Sequence, residues 1–372
     1  MDPTANGNQS LPTSPSSTPT SSGSDQIRKL GEMAEQAQIP DELRKLLLER
    51  VSRLALLRAS AGFLSSSYII EYESTASYIK WAVGLPWNMA TTDILDLVKA
   101  KEILDKNHYG LVGIKDRILE YLATIMLQLK NPAGGNILRA PILCLVGLAG
   151  TGKTTIASSM AEALGRKFER IPFGGMGDAR ALRGQSRAFP DAEPGAIVKR
   201  LVHSQSKNSV ILLDELDRVS EDARSDIMGV LVELLDPEQN KAFTDHYIDY
   251  PFDLSQVLFV ATSNNTATIS TAVLDRLEIV QMPSYRDEEK LVIAKSFLFP
   301  KVLANTGLNQ SQLIIDEAVW PSLIRPLGFD SGIRSLDRTI EGICRKTARI
   351  IVEGKAQSVH VTNENFKQFL PS

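Results

Sequence analysis

The chain is short of cysteine, of basic clusters and of long apolar runs, and each shortage excludes something. Two cysteines occur in 372 residues, Cys144 and Cys344, with no pair spacing for zinc. Each reads as a buried, reduced thiol, which fits a cytoplasmic setting. Blocks of Lys or Arg are absent and the net charge is −3. That argues against a dedicated nucleic-acid binder, since phosphate contacts need a concentrated basic surface, although weak or partner-borne DNA contact stays open. No run of about eighteen apolar residues exists, so no segment should span a membrane. The first 24 residues carry no Lys or Arg and are dominated by Ser, Thr, Pro, Gly and Asn. They predict a disordered tail with neither the basic start of a signal peptide nor the Arg-rich face of a transit peptide. What remains, 43% hydrophobic and 23% charged, suits a globular protein of two or three domains.

Hydrophobic spacing divides the chain. Asp25 to Gln38 is helix-compatible, and Pro40-Asp41-Glu42 marks a new helix start with an acidic first turn. Leu43, Leu47, Val51, Leu54 and Leu57 then recur every three or four residues, an apolar stripe for packing against a neighbouring helix. The stretch Ala61 to Ser67 breaks it. Further helices are expected at Ser74–Gly84, stopped by Gly84-Leu85-Pro86, at Asp93–Leu104 and at Gly113–Gln128. From Pro141 onward, short apolar runs at 142–146, 168–172, 210–213, 257–262 and 278–282 alternate with helical patterns. Such alternation implies an α/β fold, a doubly wound parallel sheet binding its ligand at the carboxyl ends of the strands. After Pro283 helical spacing returns at 287–299, 316–324 and 333–353, with one short strand candidate at 358–362. A small helical domain should close the chain.

The run Pro141–Val146 leads into Gly147-Leu148-Ala149-Gly150-Thr151-Gly152-Lys153-Thr154-Thr155 and then a helical pattern. Strand, glycine loop and helix start in this order form a phosphate cradle. Glycines let backbone N–H groups curl around phosphate oxygens, and the helix N-terminus adds partial positive charge. Lys153 would neutralise phosphate and the Thr154 hydroxyl would ligate Mg2+. A glycine-rich turn capping a helix is the alternative, and a second element weighs against it. Ser209–Leu213 reads as a buried strand ending in Asp214-Glu215, two adjacent carboxylates ill suited to packing. In a phosphate-binding site of this kind the Asp holds Mg2+ through water and the Glu orients or deprotonates the attacking water.

Other stretches extend the pattern. His108-Tyr109-Gly110-Leu111, Lys115–Ala123, Leu213-Asp214-Glu215-Leu216-Asp217 and, most specifically, Leu234-Leu235-Asp236-Pro237-Glu238-Gln239-Asn240 stand in order, followed by Phe243, Asp245-His246-Tyr247 and Asp253-Leu254-Ser255. In these the chain resembles the AAA+ ATPase part of the Lon protease family, from about Asp25 to the C-terminus. The resemblance implies a P-loop AAA+ sheet domain over 105–283, a helical lid over 284–372, and a helical segment over 25–104 that ends the family's N-terminal region, preceded by the tail at 1–24. It implies ATP and Mg2+ as cofactors, with Gly147–Thr155 binding nucleotide. It carries over Asn264 as a sensor of the γ-phosphate, Arg276 as a finger reaching the neighbouring subunit's nucleotide, and Arg334 as the lid arginine acting in cis. A homohexamer that unfolds and translocates polypeptide follows from it.

Three features depart from the family. The loop Gly174 to Gly195 should present an aromatic side chain to threaded polypeptide, and Phe189 keeps that paddle, but Pro190 and Asp191 replace the usual neighbours. Proline stiffens the loop and removes an N–H. Leu148-Ala149 stands where two prolines are usual, with all three loop glycines retained. The sequence runs out at Phe366–Ser372, about where the family crosses into its peptidase domain, so no Ser–Lys pair is expected and peptidase activity would need a separate or downstream domain. Two other readings stay open: a non-proteolytic AAA+ remodeller, including one acting on nucleic acid, and a nucleotide-binding regulator of a larger ring.

Overall fold

The computed structural model describes residues 23–62, 65–131, 141–324 and 332–370. The chain divides into two compact units, one up to Val83 and one from Gly84 onward. The Ser/Thr/Pro-rich stretch 1–22 lies outside the described residues, and the first helix begins at Gly23.

The first unit holds the helices Gly23–Gln36, Asp41–Ala61 and Ser66–Gly84, the last running to the unit boundary. The first two pack together, with Leu30 and Ala34 buried on the first; of the stripe read from the sequence on the second, Leu43, Leu47 and Leu54 are buried and Val51 and Leu57 half-buried. The third begins at Ser66 rather than Ser74. Its start is tied down by Ser65, whose hydroxyl accepts the Tyr68 N–H at 3.3 Å.

The second unit is built on five parallel strands: β1 Ile142–Val146, β2 Phe168–Pro172, β3 Val210–Asp214, β6 Leu258–Ser263 and β7 Leu277–Gln281. Their order is β2-β3-β6-β1-β7. Two further two-residue strands, β4 Phe243–Thr244 and β5 Pro251–Phe252, form an antiparallel hairpin between β3 and β6 that the sequence pattern did not reveal. Every residue of β1, β3 and β6 is buried, as expected for strands covered on both faces. Cys144 and Cys344 are both buried free thiols, and burial pushes Cys144 up to about 12.

Register sets where chemistry can occur. Val146 lies opposite Ser263, and Pro172 opposite Asp214, so β1, β2, β3 and β6 end at one edge. The helix Lys153–Leu164 follows β1, and Leu97–Asn107 packs against it. That second helix lies in the second unit, whereas the sequence boundary had grouped it with the N-terminal segment. It starts at Leu97 instead of Asp93 because Asp96 caps it, accepting the Val98 and Lys99 N–H groups at 2.9 and 3.1 Å. Asp93 is committed elsewhere, in a buried pair with Arg166 at 2.7 Å.

The C-terminal part is mostly helical. Asp287–Ile293 continues through a wide π turn at Ala294–Leu298 into Phe299–Thr306, longer than the pattern suggested. Trp320–Ile324 and Arg334–Val352 follow. The strand expected near the end is present as β9 Val359–Val361, and it pairs in parallel with an unforeseen β8, Leu313–Ile315. Leu336, Ile340 and Ile343 of the long helix share one apolar core with Leu143 and Leu145 of β1 and with Ile156 and Met160.

Candidate functional site

The loop after β1 is held by close backbone approach. A side chain on Gly147 would put its Cβ 2.6 Å from the Met282 carbonyl oxygen. Gly150 and Gly152 have φ of +82° and +93°, a region that glycine enters without steric cost. The loop then delivers Lys153 to the first turn of its helix. The Lys153 ammonium is turned onto the loop itself, donating to the carbonyls of Gly147 at 2.5 Å and Leu148 at 3.0 Å and to Asn264 Oδ1 at 3.1 Å. Burial lowers its pKa, partly offset by Asp214, Asp217 and Glu215.

Asp214 is the last residue of β3 and only 3% exposed. It pairs with Arg170 of β2 at 2.6 Å and accepts a short hydrogen bond from the Thr262 hydroxyl. Thr262 in turn accepts the Glu215 N–H at 2.9 Å. Glu215 sits at φ +61°, an unfavourable backbone costing about 1 kcal/mol that is found at functional positions. Its carboxylate approaches Arg218 at 3.3 Å. Asn264, just past β6, is oriented by Asp217, which accepts from its backbone N–H at 3.0 Å and from its side-chain amide at 3.3 Å.

Lys153, Arg170, Asp214, Glu215 and Asn264 line one cleft of about 330 Å³, together with Gly150, Thr154 and Arg334. Arg334 is brought in by the lid. The Ile333 N–H donates to the Gly150 carbonyl at 3.1 Å, and a Cβ on Gly332 would stand 2.4 Å from the Ala149 carbonyl oxygen. The lid backbone therefore rests directly on the glycine loop. Tyr285 adds a second tie, donating to the Thr151 carbonyl at 3.3 Å.

A second cavity of about 470 Å³ adjoins the first and shares Gly152, Thr155, Ile333 and Asp337 with it. Its walls include His108, Tyr109, Tyr285 and Phe297. His108 is 6% exposed, with Nε2 2.9 Å from the Ser159 hydroxyl. Burial first, and the nearby Lys115 charge second, lower its pKa to about 4. Asp337 is pushed upward, chiefly by burial.

Of the residues singled out in the sequence, Gly147, Leu148 and Thr151 belong to the loop without lining the cleft, and Arg276 and Phe189 lie apart from it. Arg276 pairs with Asp236 at 3.2 Å and donates to the Ala272 carbonyl at 2.8 Å. Phe189 stands 57% exposed on its loop. The structure also adds Arg170, Thr262, Asp217, Asp337 and Tyr285 to the site's surroundings. Asp217 and Thr262 lie in stretches singled out in the sequence, but none of the five is read there as part of the site, because their roles depend on tertiary neighbours.

The donor set matches the chemistry of a nucleotide and a divalent ion. The Thr154 hydroxyl and Asp214 carboxylate are hard oxygen donors of the kind magnesium takes. The Lys153 ammonium stands over the loop carbonyls of Gly147 and Leu148, and a glycine loop at a helix start offers N–H groups to phosphate. The residues present fit both groups.

Comparison with known proteins agrees. The model for the ATPase family associated with various cellular activities matches residues 143–285, covering the glycine loop, Asp214, Glu215, Asn264 and Arg276. The model for the Lon protease AAA+ ATPase lid domain matches 304–359, covering Arg334. The chain is 40% identical over 346 residues to the Lon protease of Lawsonia intracellularis, spanning 93% of this chain and 40% of that protein. It is 43% identical over 334 residues to the Lon protease of Desulforamulus reducens, spanning 90% and 39%. It is 41% identical over 345 residues to Lon protease 1 of Bacillus subtilis, spanning 93% and 43%. The chain thus spans about two fifths of the length of the curated relatives it matches. Among the described residues no helix is long and apolar enough to cross a membrane. With a P-loop sheet domain, a Lon-type lid resting on it and this similarity along nearly its whole length, the chain comprises an AAA+ ATPase module with a Lon-type lid that resembles the ATPase part of Lon proteases.

Proposed function

We propose that the chain is an ATP-driven polypeptide unfoldase and translocase that works in a ring, most simply a homohexamer. The observation that carries the catalytic half is convergence: Lys153, Thr154, Asp214, Glu215, Asn264 and Arg334, drawn from four separate segments, line one cleft. Lys153 and the loop N–H groups bind the β- and γ-phosphates, while the base and ribose lie in the adjoining cavity beside Tyr109 and Asp337. Thr154 and Asp214 would hold Mg2+, which would supply positive charge to neutralise the phosphates.

Glu215 takes or orients the proton of the attacking water, and Asn264, fixed by Asp217, holds that water in line. Arg334 steadies the γ-phosphate in cis. Arg276 acts on the nucleotide of the next subunit, which its place outside its own cleft supports. Phe189, exposed on its loop, grips polypeptide. Glu215→Gln keeps the shape and removes the base, so turnover should fall by about 10²- to 10⁴-fold with nucleotide affinity preserved. Equal turnover in the two proteins would remove the assignment.

A further inference from the structure

The stretch Phe243–Asp245-His246-Tyr247, prominent in the sequence, makes no contact with the nucleotide cleft. Its geometry ties it to the loop that carries Phe189. Between Gly184 and Gly195 the two stems run as close as backbones can. A Cβ on Gly195 would lie 2.0 Å from the Leu182 carbonyl oxygen and 2.6 Å from the Gly184 nitrogen. The neck is closed by Gln185 N–H donating to the Glu193 carbonyl at 3.1 Å.

Asp245, only 2% exposed, stands against this neck. One carboxylate oxygen accepts the Gly195 N–H at 2.7 Å, and the other accepts the N–H groups of Tyr247 and Ile248 at 2.8 and 3.2 Å. On the opposite stem, Gly184 has φ +76° and leaves no room for a side chain, since its Cβ would fall 2.5 Å from Asp245 Oδ1. Next to it the Arg183 carbonyl accepts the His246 N–H at 2.7 Å. Arg187 adds a third tie, donating to the Tyr247 carbonyl and lying 5.9 Å from the Tyr247 ring. The loop is thus fastened to the β4–β5 hairpin, whose far strand packs Phe252 against Trp87 at 5.0 Å.

We infer that Asp245 is a positioning residue for the polypeptide-gripping loop: its buried carboxylate fastens the Gly195 stem to the hairpin while the adjoining His246 N–H holds the Arg183 stem, so that Phe189 is carried by the hairpin instead of swinging on its own. Burying a carboxylate is costly unless its acceptors are filled, and here three backbone donors fill them. The same segment connects upstream. Glu233 pairs with Arg183 at 2.5 Å and Asp236 with Arg276 at 3.2 Å. A displacement of Arg276 by a neighbouring subunit therefore has a path of bonded groups to the base of the loop. This inference rests on the proposed role of the Phe189 loop.

The test uses the full chain with a non-hydrolysable ATP analogue, residue-resolved hydrogen exchange and a reduced, carboxymethylated, fluorescently labelled polypeptide. In the wild type the amides of Gly195, Tyr247 and Ile248 should exchange as slowly as those of the central strands despite their place at a loop base. Asp245→Asn keeps the volume but spoils the acceptor set. It should open those three amides, leave peptides covering 147–155 unchanged, and weaken polypeptide binding by about tenfold. Fast exchange in the wild type would overturn the clamp, as would opening without any change in polypeptide affinity. Exchange rising throughout the second unit would reduce Asp245 to a merely structural residue. Should Asp245→Asn not fold, Arg187→Ala cuts another tie and should loosen the loop and weaken binding in the same direction; no change in either refutes the clamp. Phe189→Ala without effect on polypeptide affinity would instead sink the proposed role of the loop, and the exchange pattern would still decide whether Asp245 holds it.

Discussion

Acidification should destabilise this protein through His108, by an amount that the structure allows to be worked out. The imidazole of His108 lines the second cavity, its residue 6% exposed, with Ser159 at 2.9 Å from Nε2 and Lys115 donating to the His108 backbone carbonyl at 2.6 Å. Lys115 is itself anchored by Asp105 at 2.8 Å, and Glu162 lines the same cavity, held through Asn107 at 2.9 Å. Burial and the Lys115 charge depress the folded pKa to about 4, against 6.5 for the unfolded residue. The unfolded chain therefore takes up the proton first. Stability is unaffected above pH 6.5 and is lost progressively as pH falls towards 4. Between pH 7 and 5 linkage gives a loss of about 2 kcal/mol, and about 3 kcal/mol at the acid limit. The raised carboxyls of Asp245 and Asp337 work in the opposite sense, so the comparison must be made between variants. In urea unfolding followed by the fluorescence of Trp87 and Trp320, the wild type should lose about 2 kcal/mol more than His108→Gln over that interval. Stability curves that run parallel from pH 7 to 5 would refute the assignment of a buried neutral imidazole.

Two further outcomes follow from the cleft and its surroundings. Arg170 competes for the oxygen of Asp214 that a magnesium ion needs, so Arg170→Ala should lower the Mg2+ concentration for half-maximal turnover by about two- to fivefold, the modest effect expected of a half-exposed cation; a higher requirement would contradict that reading. Arg276→Ala should reduce turnover by about 10³-fold in the assembled ring, while Asp236→Asn, which only releases the arginine from its partner, should change it far less. Equal losses in the two variants, or turnover by Arg276→Ala equal to wild type, would remove the finger role.

The parts of this molecule legible in its sequence are those whose backbone chemistry is local. The strands of the parallel sheet are buried on both faces, so they appear as continuous apolar runs, and Ile142–Val146 and Phe168–Pro172 match their observed ends. The glycine loop is legible because Gly150 and Gly152 occupy positive φ and Gly147 has no space for a side chain. Asp214 and Glu215 stand out because a carboxylate pair ending an apolar strand has no packing purpose. The short strands β4, β5 and β8 leave no legible pattern in the sequence, although β9, as short as β8, does.

The same distinction separates the groups that face the ligand from those that hold them. Thr262 is an ordinary β-branched residue at a strand position, yet it bridges Asp214 and the Glu215 N–H, and nothing in its local pattern announces that. His108 has its pKa lowered chiefly by burial under neighbouring elements and next by the charge of Lys115, both of them tertiary effects. The lid contact is the extreme case. Gly332 is separated from Ala149 by most of the ATPase domain, and its need for glycine exists only because the two backbones meet. A side chain there must push the lid off the glycine loop and carry Arg334 with it. The position is therefore as sensitive as any glycine of the loop, although no phosphate is expected to touch it.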